Sequence, residues 1–324
     1  MLTTARQIKE ACGDTHYIFR AGAWKARTSP QTYQGAGEDA LEWLAEVQHT
    51  YGLEVATEVA EPAHVEAAQK AGIDYLWIGA RTAANPIAIE RIAQAIDPQR
   101  IQAVGIKNPV NADPALWIGN IERLEHTGIP VFAIHRGCNH QPCWMMAHAV
   151  RTARPDIPIL LDPSHMSGDA QRIPELMTKL IDLRLDGAMI EVHTDPASAL
   201  SDAKQQITPS QLRAVLEPFS NQLREINENE TDLLPTSDDT TLNWLRAEID
   251  ELDDNLWSTL AARMEVSKRI GEWKKENGIA PLQPERFQQI LSKRLTWAAQ
   301  NGLDPLFVTQ LFDIIHQQSL KQQL

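Results

Sequence analysis

Between residues 15 and 217, short apolar runs alternate with longer amphipathic ones, and this rhythm restricts the fold more than any other feature. The apolar runs are YIFRA (17–21), LEVATEVA (53–60), YLWIGA (75–80), IQAVGIKN (101–108), VFAIHRG (131–137), IPILLDPS (157–164) and GAMIEVH (187–193). Segments with helical periodicity, such as DALEWLAEVQHTY and NPIAIERIAQAI, lie between them. Strands apolar on both faces, each followed by a helix, predict a parallel sheet. Repeated this often, the unit predicts a (β/α)8 TIM-type barrel of the α/β class rather than an open sheet. Seven strands are found where closure requires about eight.

The chain has 324 residues, enough for two domains of roughly 100–200 residues each. A net charge of -13 argues against nucleic acid as a partner, because phosphate backbones need a basic face. A local cationic pocket for small phosphorylated substrates is compatible with that total. Cys12, Cys138 and Cys143 form neither a disulfide framework nor a paired zinc motif, and they read as reduced thiols. No run approaches the ~18 apolar residues of a membrane span, and no signal peptide is evident. The expected location is cytoplasmic, with no membrane partner.

Residues 220–241, SNQLREINENETDLLPTSDDTT, lack sustained periodicity and read as a linker between a domain over 1–219 and a second over 242–324. Beyond it, apolar residues recur at 242, 245, 249, 252, 256 and 260. TSDD offers N-cap candidates and Gly278 a stop. A helix of about 36 residues would be ~54 Å long. Such a helix needs a partner for its stripe, most simply from a second copy, which predicts a homodimer. Helices over 284–300 and 304–322 complete an all-α three-helix domain.

Active sites of (β/α)8 barrels lie at the C-terminal strand ends. Those ends carry Arg20 with Lys25, Arg27 and Thr28, then Glu58, Arg81, Lys107, His135-Arg136, Asp162 with His165, and Glu191 with His193. Cations at several strand ends around one mouth would repel each other unless anions sit among them. Arg suits phosphate through its planar fork, and Lys as a point charge. His165, Glu191 and Asp202 form a donor set suited to Mn, Fe, Co or Zn; a plain salt-bridged His–Glu pair is the other reading of the same residues.

RAGAWKARTSP, ATEV, IGAR, GIKNP, HRG, DPSHMSG and IEVHTDPASALSD, in this order, resemble the barrel of short-form 3-deoxy-D-arabino-heptulosonate 7-phosphate (DAHP) synthases over roughly residues 1–217. The related synthase of the eight-carbon sugar acid has a loop like KANR in place of KARTS. The resemblance implies condensation of phosphoenolpyruvate with erythrose 4-phosphate. It implies that Arg81, Lys107 and Arg136, with Arg20 and Lys25, hold phosphoenolpyruvate. Arg27 and Thr28 would hold the aldose phosphate, and His165, Glu191 and Asp202 a divalent metal. Lys107 is the candidate proton donor to the new alkoxide.

Several positions depart from that family. Its first strand ends in GPCS, whose Cys is a fourth metal ligand, and no such motif occurs here. Residues 1–12 resemble the helix after that strand, so the barrel is expected to lack its first strand and to be impaired in DAHP synthesis. Cys12 would lie at a helix C-terminus, the wrong end for a ligand, and Cys138 is a possible substitute. Ala26 stands where Pro is usual, which leaves the loop less rigid.

Residues 242–323 resemble the all-α class of chorismate mutase, through Arg246, Arg263, Lys274, Arg286, Ser319 and Gln323. Arg263 and Lys274 are 11 residues apart and align within about 20° on a helix. Arg246 would face a site across a dimer axis. The implied reaction is the rearrangement of chorismate to prephenate, needing no metal. Arg side chains would clamp the carboxylates, and Lys274 and Gln323 would donate to the ether oxygen. Gln283 stands where an acidic residue is common, and Phe287 where a Glu often contacts the substrate hydroxyl. The expected protein is therefore bifunctional. The alternative is a helical domain that chiefly senses prephenate or chorismate and dimerises, beside an impaired synthase.

Overall fold

The computed structural model describes residues 1–13, 15–25, 31–228, 237–280 and 283–323, with backbone only at 219–228, 237–239 and 284. The first strand-helix units are α1 (Leu2–Cys12), β1 (Phe19–Arg20), α2 (Glu38–Tyr51), β2 (Val55–Val59), α3 (Pro62–Ala71), β3 (Tyr75–Ile78) and α4 (Pro86–Ala95). They continue through β4 (Ala103–Lys107), α5 (Pro114–Glu125), β5 (Val131–His135), α6 (Trp144–Ala153), β6 (Ile159–Leu161) and α7 (Pro163–Ser167). Then come α8 (Ile173–Asp182), β7 (Gly187–Ala188), α9 (Pro209–Glu228), α10 (Ser237–Glu276), α11 (Pro284–Gln300) and α12 (Pro305–Gln323).

The local chemistry explains these boundaries. Pro occupies the first helical position of α3, α4 and α5, where its missing N–H costs nothing. Asn85 and Asp113 cap α4 and α5 by accepting from backbone N–H groups. Gly52 ends α2 at φ 64°, a left-handed geometry that favours glycine.

All seven strands are parallel and pair in chain order, β1 to β7. Their outward residues, among them Val55, Leu76, Val104 and Ile159, are fully buried under the helices. Inward residues form a second core of Ala56, Trp77, Ile134 and Met189. The sheet curls: Arg20 at the end of β1 comes within 3.8 Å of Glu191, three residues past β7. Residues of both outer strands line one cavity of about 570 Å³. The predicted seven-strand barrel architecture is thus observed, a curled half-barrel whose edges among the described residues are β1 and β7.

Two compact units divide at Glu251 and Leu252, inside α10. The expected linker is partly helical, since α9 continues to Glu228 and α10 begins at Ser237; residues 229–236 lie outside the described residues. Within the first unit, the opening turns of α10 dock on α6. Trp244 is 2% exposed, stacks on His148 at 5.5 Å and meets the Trp144 ring edge-on at 6.4 Å. Glu248 bonds His148 Nδ1 at 2.7 Å, and Glu251 accepts from the Trp144 N–H at 2.8 Å, at the N-terminus of α6.

The second unit, Leu252–Leu324, holds the remainder of α10 with α11 and α12. Gly278, at φ 63°, follows the end of α10 as its spacing predicts. Gly271 lets α12 approach closely: a Cβ there would lie 2.5 Å from Gln323 Cα.

Candidate functional site

Two groups of polar side chains stand out, one in each unit. In the first unit the cavity is lined by Arg20, Lys25, Glu58, Lys107, His165 and Glu191 among others. Each is carried there by a strand end or by the segment after it, which for His165 is the short helix α7.

Asp162 is the hub of this group. It sits at the N-cap of α7, where the turn DPSH begins, and it is fully buried. Its carboxylate is 2.8 Å from Lys107 Nζ and 2.9 Å from His165 Nδ1. Burial pushes the Asp162 pKa up, but His165, Lys107 and Arg20 outweigh it and hold the group well below the usual carboxylate range. Lys107 Nζ is also 3.4 Å from His165 Nδ1.

Glu191 is the second anion. Gln205 donates to its Oε2 at 2.7 Å, and His165 Nε2 lies 3.6 Å from its Oε1. Arg20 at 3.8 Å and Lys25 at 4.0 Å flank the same oxygen. Burial raises the Glu191 pKa, yet His165, Arg20 and Lys25 bring it below its ordinary value. Lys25 also pairs with Asp202 and donates to Ser201 Oγ at 3.3 Å. Arg20 lies over the Trp77 ring at 5.4 Å, and its Nε and Nη2 have no hydrogen-bond partner among the described residues. Buried guanidinium donors without hydrogen-bond partners suit an anionic ligand.

Of the expected metal donors, His165 and Glu191 are adjacent, and Asp202 is reached through Lys25. Among the described residues no three His, Cys, Asp or Glu side chains group as a metal set. Arg136 is held below its ordinary pKa by burial, with Asp162 and Cys138 opposing and Arg81 adding to the effect, so Arg81 and Arg136 sense each other's charge. Neither lines the cavity. Arg27 and Thr28 lie outside the described residues. Cys138 is buried off the cavity, where Asn108 Nδ2 donates to its sulfur at 3.8 Å and Cys143 also bonds it. Sequence reasoning gave no role to Asp162, Gln205 or Ser201; the N-cap position of Asp162 in DPSH was the available signal.

In the second unit, Arg263 donates to Ser319 Oγ, and Lys274 Nζ donates to Gln323 Oε1 at 3.0 Å. This juxtaposes four of the predicted residues on facing stripes of α10 and α12. Burial, followed by repulsion from Arg294, lowers the Arg263 pKa. Arg294 therefore joins a cationic cluster that the sequence reading did not include, and His316 stands beside it, its pKa lowered by burial and then by Arg263 and Lys274. Arg286 is exposed, beside Phe287, whose ring stacks on Phe312 at 5.4 Å. Arg246 lies on the part of α10 that belongs to the first unit.

The comparisons with known proteins follow this division. The profile of the DAHP synthetase I family matches residues 1–228, and that of chorismate mutase type II matches residues 245–324. A phospho-2-dehydro-3-deoxyheptonate aldolase from Thermotoga maritima is 30% identical over 198 residues, 59% of this chain and 56% of that protein. The chain thus spans little more than half the length of that relative. A 4-amino-4-deoxychorismate mutase from Streptomyces venezuelae is 36% identical over 74 residues, 23% of this chain and 72% of that protein. A crystal structure of phospho-2-dehydro-3-deoxyheptonate aldolase (DAHP synthase) from Thermotoga maritima superposes with a TM-score of 0.60 at 27% identity, covering 69% of this chain and 65% of that one. No helix among the described residues is long and apolar enough to cross a membrane. With the first profile spanning most of its 324 residues, the chain belongs to the DAHP synthetase I family and carries a chorismate mutase type II domain at its C-terminal end.

Proposed function

We propose that the chain catalyses two reactions: phosphoenolpyruvate, erythrose 4-phosphate and water give DAHP and phosphate, and chorismate rearranges to prephenate. The observation that carries the first is the cation-lined cavity at the strand ends, with Arg20 Nε and Nη2 lacking hydrogen-bond partners among the described residues and Lys107 buried beside Asp162. The relative's name, a phospho-2-dehydro-3-deoxyheptonate aldolase, supports the same phosphorylated sugar-acid product.

In this reading Arg20, Lys25 and Lys107 bind the carboxylate and phosphate of phosphoenolpyruvate in the cavity, and Arg81 and Arg136, outside its lining, keep the phosphoenolpyruvate role that the resemblance implies. Arg27 and Thr28 keep the aldose phosphate that the resemblance implies. The new carbon–carbon bond joins the enol carbon to the aldehyde carbon, and Lys107 gives its proton to the oxygen that becomes an alkoxide. Water adds to the remaining cationic carbon, the bond to phosphate oxygen breaks, and a proton from that water restores Lys107. Asp162 and His165, at 2.8 and 3.4 Å, fix the Lys107 ammonium for this transfer.

His165, Glu191 and Asp202 carry the donor chemistry of a divalent-cation site, but in the state described they do not group as one, and Arg20 and Lys25 balance the two carboxylates. Mn, Fe, Co or Zn bound there would supply Lewis-acid polarisation of the aldehyde.

For the second reaction, Arg263 and Arg286, with Arg246 supplied by a second copy across a dimer axis, clamp the two carboxylates in the reactive conformer, while Ser319 orients Arg263. Lys274 and Gln323 donate to the ether oxygen as negative charge builds there. Leu242, Leu245, Ile249, Leu252 and Leu256, spaced three and four apart on α10, are all more than 40% exposed. They support a homodimer through that helix. Three free, buried cysteines support a reducing, cytoplasmic setting.

The test is selective inactivation. Lys107→Ala abolishes erythrose 4-phosphate-dependent consumption of phosphoenolpyruvate and leaves chorismate turnover, and Lys274→Ala does the reverse. 4-Amino-4-deoxychorismate is the control substrate. Loss of both activities in either variant would contradict two separate sites.

A further inference from the structure

We propose that His316 is a substrate-contacting residue of the helical unit's site, taking up a proton when a dicarboxylate binds there. This rests on the mutase reading of that site and adds a residue to it.

His316, Ser319 and Gln323 are spaced three and four apart on α12, so they share one face. Ser319 accepts from Arg263, and Gln323 accepts from Lys274. That face therefore meets the cations of α10, and His316 is the next residue along the same stripe. Its ring lies 4.5 Å from the Phe287 ring of α11 and 6.2 Å from that of Phe312. Phe287 offers no hydrogen bond, whereas the half-buried His316 imidazole beside it can make one. No hydrogen bond is made by its ring nitrogens among the described residues.

The charges around it are lopsided. Partial burial comes first, then Arg263, and they lower the His316 pKa together with Lys274; Asp313 on its own helix opposes them. From α11, Arg294 acts on Arg263, and exposed Arg286 adjoins Phe287. Without a ligand this field disfavours imidazolium. A dianion held by Arg263 and Lys274 reverses the local potential and favours it. The complex then binds more protons than the free protein, so affinity for a dicarboxylate rises as pH falls from the bound-state pKa towards the free-state pKa. A uncharged ligand of the same shape would show no such rise.

The experiment is calorimetry of prephenate binding to the full chain in two buffers of different ionisation enthalpy, from pH 6 to 8. Wild type should take up a fraction of a proton per site, and its Kd should weaken about threefold to tenfold from pH 6 to 8. His316→Gln should show neither effect, with KM for chorismate raised at pH 6 and kcat little changed. Histidine ring NMR on the wild-type chain gives a check independent of the variant: the His316 titration midpoint should rise with prephenate. Proton uptake persisting in His316→Gln, or an unmoved midpoint, would overturn this inference alone. Absence of both prephenate binding and chorismate turnover would overturn the mutase reading and this inference with it.

Discussion

Lys107 Nζ sits 2.8 Å from Asp162 Oδ2, with the lysine side chain 6% exposed and the aspartate fully buried. Neither charge is tolerable there alone, because a buried ion without its partner loses hydration with little in return. Lys107→Ala leaves the Asp162 anion with His165 as its nearest partner. It should destabilise the first unit by about 3–5 kcal/mol, measured by urea unfolding of that unit. Asp162→Asn in the same background should recover part of the loss.

His135 predicts a pH-dependent stability. Its ring is fully buried between Trp117 and Trp144, with centroids at 6.2 and 5.5 Å. Burial is the leading cause that lowers its pKa from 6.5 to about 4. In this window the unfolded chain binds the proton and the folded one does not, so stability is full above pH 6.5 and falls as pH drops to about 4. The loss amounts to about 3 kcal/mol. Unfolding of wild type and His135→Gln should show a shallower slope for the variant between pH 6.5 and 4; parallel slopes would exclude His135 as the source.

The close approach of α10 and α12 makes a third prediction. A methyl at Gly271 would lie 2.5 Å from the Gln323 backbone, which cannot swing aside as a side chain could. Gly271→Ala should cost about 1–3 kcal/mol in the second unit and separate Gln323 from Lys274. Chorismate turnover should fall with it, while DAHP formation at the strand-end site is unaffected.

The barrel units and three long helices were legible because their apolar periodicity is strong and local. Seven strands appear where seven apolar runs stand, and α11 and α12 match their predicted spans within a residue or two at each end. The expected linker is helical at both ends, up to Glu228 and from Ser237, because periodicity is silent there, while Gln, Leu, Arg and Glu still favour helix over 220–228. Trp244 was missed for a related reason: it belongs to a second stripe, with Ala247, Glu248 and Glu251, that docks on α6 beside the exposed stripe at 242, 245 and 249. In the site, strand-end position identified Lys107, His165 and Glu191. The Lys25–Asp202 pair joins residues 177 apart, and no local signal encodes it. His316 and Arg294 became visible only when α10, α11 and α12 came together.

The exposed stripe of α10 carries the fourth prediction. Leu252 and Leu256 are 67% and 45% exposed, and Trp257 and Trp273 on the same helix are 66% and 57% exposed. Leu252→Glu with Leu256→Glu should shift the full chain from dimer to monomer in sedimentation equilibrium. A wild-type chain that sediments as a monomer would contradict dimerisation through this helix.

The central claim is that one chain holds both activities. Mass spectrometry of a single reaction tests it most directly: purified full chain, phosphoenolpyruvate, erythrose 4-phosphate, Mn²⁺ and chorismate. DAHP and prephenate should both accumulate, each dependent on its own substrates. Formation of only one of them, with the substrates of the other untouched, would contradict the account.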